Sequence, residues 1–314
     1  MIKIAAWCQD LNDSTLRFLS QIGVDCADAV PLPTDDRGVF DLDEAIAVRK
    51  KVESWGMAVN RISLPGFSES FMNGDDGTEG ELDIACESVR VLGEAGFPLG
   101  RVHFAFSQDG WMIDRYQADH RGGYKARGES LSRDDNGNSP SREVREQRWE
   151  RVCLAYSRLV PAAQESSVRL MMHPSDPPTQ DVLFSGLGFH RVIDAFPQAC
   201  VGYLYCCGTR GEAAGLPLVL NEINNYGRKG RIFEVHFRNL RGSFASARGF
   251  EEVLLDDGDM NMFKIVQELQ HLGFDGCLNP DHYPSLEGDA AGKNTHALAY
   301  SVGYIKAMLA ALAC

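Results

Sequence analysis

Short apolar runs alternate along the chain with longer stretches in which apolar residues recur every three or four positions. The runs occupy residues 3–7, 25–29, 58–63, 101–106, 169–173, 201–206, 232–237 and 276–280. Runs this short and continuous predict strands buried on both faces. The wider spacing predicts helices over 14–21, 42–54, 79–95, 142–165, 187–196, 215–225 and 262–272, with a last helix over 295–312. Strand–helix units repeated eight times within 314 residues predict an α/β fold, a (β/α)8 TIM barrel forming one domain over 1–314. The rival is an open doubly wound sheet. No G-x-G-x-x-G follows any run, which removes its commonest dinucleotide-binding version.

Residues 107–141 break the rhythm, with no apolar periodicity across SQDGWMIDRYQADHRGGYKARGESLSRDDNGNSPS. The stretch is expected to be a long loop insertion after strand four, over the C-terminal face where such barrels bind ligands. Trp111, Tyr116 and Tyr124 favour a lid over a solvated tail, because disordered segments are poor in aromatics.

Charge narrows the partners. There are 31 basic and 44 acidic residues, a net charge of −13. That argues against nucleic acid or an anionic membrane as the main partner. A small acid would need a local positive group, such as a metal or a few arginines. No apolar run approaches the roughly 20 residues of a membrane span. The start, MIKIAAWCQD, lacks the basic-then-apolar pattern of a signal peptide. The nine cysteines are scattered and odd in number, which suits a reducing cytoplasm better than a disulfide scaffold.

Four potential ligands stand at or just past the ends of four successive predicted strands: His173, Cys206, His236 and Asp281. Their spacings of 33, 30 and 45 residues each approximate one strand–helix unit. Alone, a histidine at a strand end, a buried cysteine or an aspartate before a helix each has an ordinary structural reading. Together, two imidazoles, a thiolate and a carboxylate suit a divalent transition metal, whereas calcium or magnesium prefers oxygen donors. Cys207 rivals Cys206, but strand alternation would turn it the other way. His282 can exchange a proton near neutral pH. Arg238, two residues past His236, could grip a carboxylate with two hydrogen bonds. His103, at the end of the fourth run, is a further pocket candidate.

These segments together resemble the mannonate dehydratase family. The likeness rests on MHPSDPP at 172–178, YCCGTRG at 205–211, VHFRN at 235–239, FEEVLLDDGDM at 250–260 and PDH at 280–282. IAAWCQD and the span around Trp111 are similar more weakly. The resemblance implies a xylose-isomerase-like barrel with His173, Cys206, His236 and Asp281 as metal ligands. It implies manganese, with Fe2+, Co2+, Ni2+ or Zn2+ as alternatives, and His282 as the acid/base histidine. Arg238, Asn239, His103 and Trp111 are then the expected substrate-binding residues. Three features depart from the family. Its catalytic tyrosine in a Gly-Tyr-Gly segment has no counterpart in SLEGDAAGKNTHALAY; Tyr283, Lys293 and His296 are the nearby alternatives. Its Val-His-Glu after the third strand is replaced by GFSES at 66–70. The chain is also shorter than typical members.

The expected activity is metal-dependent loss of water from a sugar acid such as D-mannonate, giving a 2-keto-3-deoxy acid. A sugar isomerase or epimerase on the same barrel, or an inactive sugar-acid binder, are the alternatives. A cytoplasmic homo-oligomer acting on a small molecule completes the expectation.

Overall fold

The computed structural model describes residues 1–105, 113–132, 140–178, 184, 186–289 and 294–313. Eight parallel strand positions close into a barrel. β1 (Lys3–Trp7), β2 (Cys26–Asp28), β3 (Ala58–Val59) and β4 (Arg61–Ser63) begin it; β3 and β4 are halves of one strand interrupted at Asn60. β5 (Leu99–Arg101), β8 (Arg169–Met172), β9 (Val201–Cys206), β10 (Ile232–His236) and β13 (Cys277–Asn279) complete it. β13 pairs with β10 on one side and β1 on the other, so the ring closes through first and last strands. The strands are nearly all buried because each faces barrel interior on one side and helices on the other; β9 and β10 are buried throughout.

Helices alternate with these strands much as the periodicity predicts. Helix Arg142–Glu165 and helix Thr295–Leu312 match their predicted bounds. Local side chains set several starts: Asn12, Asp41 and Ser141 each accept a hydrogen bond from a first-turn amide. Among the described residues three short α-helices go unanticipated: Glu69–Asn73, Phe244–Ala247, and Cys207–Ala214, which begins on the residue after β9 ends.

The larger difference is a second sheet. The stretch expected to be a loop contains a hairpin, β6 (Ile113–Asp119) and β7 (Lys125–Leu131). β7 pairs antiparallel with β12 (Gly249–Val253), which pairs with β11 (Asn239–Ser243). The insertion is thereby joined, strand to strand, to the segment after β10. It hangs over the end of the barrel where the candidate ligands lie.

Candidate metal centre

β8, β9 and β10 end side by side, in register: Met172 lies opposite Tyr203, and Cys206 opposite His236. That pairing gathers residues far apart in sequence. The donor atoms of His173, Cys206 and His236 lie within 4.8 Å of one another. Asp281, two residues past β13, joins them, with Oδ2 3.2 Å from His236 Nδ1. Two donors about 2.1 Å from a shared cation at a tetrahedral angle would be roughly 3.4 Å apart.

The surroundings of these atoms fit a cation. His173 Nδ1 lies 2.6 Å from the Pro174 carbonyl oxygen and donates to it, which leaves Nε2 with its lone pair. Both ring nitrogens of buried His236 lack a directed hydrogen bond, as does Asp281 Oδ1. Cys206 Sγ accepts from the Thr209 amide and the Thr209 hydroxyl, each at 3.2 Å. Cys206 caps helix Cys207–Ala214, so the positive end of that helix faces the sulfur. Burial pushes the Cys206 thiol well up, with nearby Arg238 opposing. Burial pushes His173 and His236 down and keeps both neutral, although Asp281 acts against it at His236. Burial would raise Asp281, but His236 and Arg238 overturn that and hold it well below the usual carboxylate range. Two neutral imidazoles, a carboxylate and a thiol that ionises on binding form a donor set suited to a transition metal. Cys207 turns away toward the Arg238 carbonyl oxygen, 3.6 Å off, as strand alternation predicts.

A cavity of about 500 Å³ opens beside this cluster, lined in part by Trp7, Glu69, Arg101, His103, His173, Asp176, His236, Asp281 and His282. His282 holds a left-handed backbone, φ 47°, which is uncommon for a residue with a side chain. Trp7 meets His236 and His282 edge-on, with ring centroids 6.1 and 5.9 Å away. His282 Nδ1 lies 2.9 Å from Glu252 Oε1 and beside the Arg238 guanidinium, and Nε2 lies 3.9 Å from Asp281. Burial and Arg238 push His282 down, but Asp281 and Glu252 outweigh them and raise it.

The remaining expected site residues separate. Arg238 is buried and already engaged, 2.9 Å from both Asp176 and Glu212, 2.8 Å from the Thr209 hydroxyl, and against Glu252. Burial pushes the Glu212 carboxyl upward, which offsets the excess of acids around this one guanidinium. Arg238 does not line the cavity; it braces His282 and the loop carrying Asp176. Asn239 is not in the cavity either. Its amide donates to the Leu255 and Met260 carbonyls and accepts from the Leu240 and Met260 amides, so it pins the chain around β11 and β12. His103 lies on the cavity wall as expected. Trp111 and Lys293 lie outside the described residues. Tyr283 lines a neighbouring cavity behind His282 with Arg127. Sequence reasoning missed Arg101, Trp7, Glu69, Thr209 and Glu252. The register of Arg101, at the end of β5, was the available signal.

Comparison with known proteins points the same way. The family model for D-mannonate dehydratase (UxuA) matches residues 141–314. Mannonate dehydratase 2 of Halalkalibacterium halodurans is 27% identical over 150 residues, which span 45% of this chain and 42% of that protein. The mannonate dehydratase of Enterococcus faecalis is 23% identical over 322 residues, covering 88% of this chain and 87% of its own. Among solved structures, the mannonate dehydratase from Streptococcus suis serotype 2 superposes with a TM-score of 0.84 at 20% identity. That superposition covers 98% of this chain and 94% of the other, and it establishes the shared fold.

Proposed function

This chain belongs to the D-mannonate dehydratase (UxuA) family, and from that premise we propose that it is a metal-dependent hydro-lyase removing water from a sugar acid such as D-mannonate to give a 2-keto-3-deoxy acid. The observation that carries the reading is the convergence of His173, Cys206 and His236 at one cavity, with Asp281 and His282 alongside. We take Mn2+ as the resident metal; the same donors would accept Fe2+, Co2+, Ni2+ or Zn2+. The bound cation would supply Lewis-acid polarisation of substrate oxygens beside the carbon that loses its proton.

The chain's own groups do the rest. Dehydration needs a base for the C2 proton and an acid for the departing C3 hydroxyl. His282 serves one of these steps. Its Nδ1 is held between Glu252 Oε1 and the Arg238 guanidinium, so Nε2 on the Asp281 side is the nitrogen left to accept or return a proton. Glu252 and Arg238 are positioning residues that fix the ring. The other proton-transfer role falls to the opposite wall, where Glu69 and His103 offer a carboxylate and an imidazole. Glu69 belongs to the GFSES segment that replaces the family's Val-His-Glu. Trp7 covers His236 and His282 and limits water there.

The eight described cysteines are free thiols, in keeping with a proposed cytoplasmic location. We also take a homo-oligomer as the working assembly. The deciding experiment loads the purified protein with Mn2+ and presents a panel of aldonic acids. Formation of 2-keto-3-deoxy acid supports the dehydratase. An isomeric sugar from a parallel aldose and ketose panel would favour an isomerase or epimerase. Tight aldonate binding without product would leave a sugar-acid binder.

A further inference from the structure

With Arg238 committed to Asp176, Glu212 and Glu252, the cavity needs another cation to hold an acid in a protein of net charge −13. Arg101 is placed for it. It ends β5, on the wall beside His103, and lines the same cavity as His173, His236 and Asp281. It makes no ion pair with any described residue, and its Nε, shut off from solvent, has no hydrogen-bond partner. The nearest structural explanation would be the buried carboxylates Asp28 and Glu234 deeper in the barrel, but Arg61 already occupies those, with Nε 3.1 Å from Glu234. Arg101 is half-buried, and a guanidinium Nε shut off from water without an acceptor is costly to keep. Arginines in such positions normally face a ligand that is present when the protein works.

We propose that Arg101 is the anchor for the substrate's carboxylate, and so the residue that makes this cavity select an acid over a neutral polyol. This rests on the sugar-acid reading above. A planar guanidinium offers paired N–H donors that match the two carboxylate oxygens. Its electrostatic setting agrees: burial, with Arg61 behind it, destabilises the charge and brings Arg101 down to about 10. An arriving carboxylate relieves that penalty, whereas an uncharged sugar does not. Held from β5, the acid end of the substrate lies on the wall opposite His282, and the hydroxyl-bearing chain extends between them across the metal ligands.

The test uses the Mn2+-loaded full chain and compares Arg101→Gln and Arg101→Lys with the unaltered protein. Binding of D-mannonate and of the matching neutral polyol, D-mannitol, is measured by calorimetry, alongside metal content and 2-keto-3-deoxy acid formation. Arg101→Gln should keep its metal, weaken mannonate by about 10- to 100-fold, and leave mannitol unchanged. Arg101→Lys should recover part of the loss, because charge returns without the fork. In turnover, the loss should fall on KM more than on kcat. Equal weakening of acid and polyol, or unchanged mannonate binding in Arg101→Gln, would overturn the anchor. So would an unaltered protein that does not discriminate acid from polyol. Arg101-dependent acid binding without any keto-acid product would instead fail the dehydratase reading and leave the anchor standing.

Discussion

Cys206 and Cys207 sit next to each other and are both fully buried, yet only one faces the other donors. Cys206→Ser should therefore lose metal and activity together, because a hydroxyl is a poor substitute for a thiolate on a transition metal. Cys207→Ser should retain metal and cost at most a modest loss of stability from burying a hydroxyl. Elemental analysis of the two purified proteins distinguishes them; equal metal loss would contradict the assignment. His282→Asn should keep the metal, since the ligands are untouched, but lower kcat by roughly 100-fold or more, the scale of a lost general acid or base. Turnover near the unaltered rate would reduce His282 to a wall residue. The gathered residues were legible because barrel strands end at one level, so a repeating interval in sequence becomes proximity in space. Arg238 and Asn239 were legible as polar residues near the site but not in their roles. Whether a guanidinium is free depends on its partners. Asp176, Glu212 and Glu252 come from three different segments, and no local pattern announces them.

At the scale of elements, the insertion after β5 is the segment the hydrophobic pattern conceals. β6 reads IDRYQAD and is largely exposed, and β7 reads KARGESL, where Ala126 and Gly128 mark an inward face too faintly to show as alternation. Pairing explains what composition hides: seven residue pairs join β6 to β7 between Ile113 and Asp119, and β12 holds the other edge of β7. The hairpin also delivers Arg127, 3.4 Å from Glu252 and 3.5 Å from His282 Nδ1, to the back of the catalytic candidate. We propose that the hairpin, tied to β12 and to Glu252, acts as a wall, in contrast to the lid expected from its sequence. A side chain at Gly249 would place Cβ 2.6 Å from the Glu129 carbonyl oxygen on the facing strand. Gly249→Val should thus part β12 from β7, at a cost of about 1–3 kcal/mol for a forced core contact. In native-state trypsin digests read by mass spectrometry, Arg115, Lys125 and Arg127 should resist cleavage in the unaltered protein, with or without ligand, and become labile in Gly249→Val. Ready cleavage of the unaltered protein at these residues would restore the lid.

Across the whole molecule, the barrel carries charge where most barrels of this kind carry branched apolar side chains. Asp28, Asn60, Arg61, Glu234 and Asn279 form one buried network, with Asn60 3.1 Å from Asp28 and 3.0 Å from Glu234. Glu234 Oε1 reaches within 3.7 Å of His236 Nε2, so the network abuts the proposed metal ligands from below. The eight-strand closure was legible in the apolar runs; this polar interior was not, because single polar residues inside such runs look like exceptions until the ring closes. A cation at the top of this column would bind the folded chain alone, since only folding brings the donors together, and would stabilise it by mass action. At a thousandfold excess over its dissociation constant the gain is about 4 kcal/mol. For a chain this long that corresponds to roughly 5–10 °C in Tm. Chelation should remove that increment and Mn2+ should restore it, whereas His173→Ala should show neither change. The sign of its pH dependence follows from the ligands. Burial keeps His173 and His236 neutral already, Asp281 is already ionised, and Cys206 holds its proton. Binding therefore releases one proton, from Cys206, and metal affinity should rise about tenfold per pH unit above neutral pH. Calorimetry in two buffers of different ionisation enthalpy counts the proton directly. A count of zero would mean that Cys206 does not ligate as a thiolate, and a count of two would mean that one imidazole enters the reaction charged.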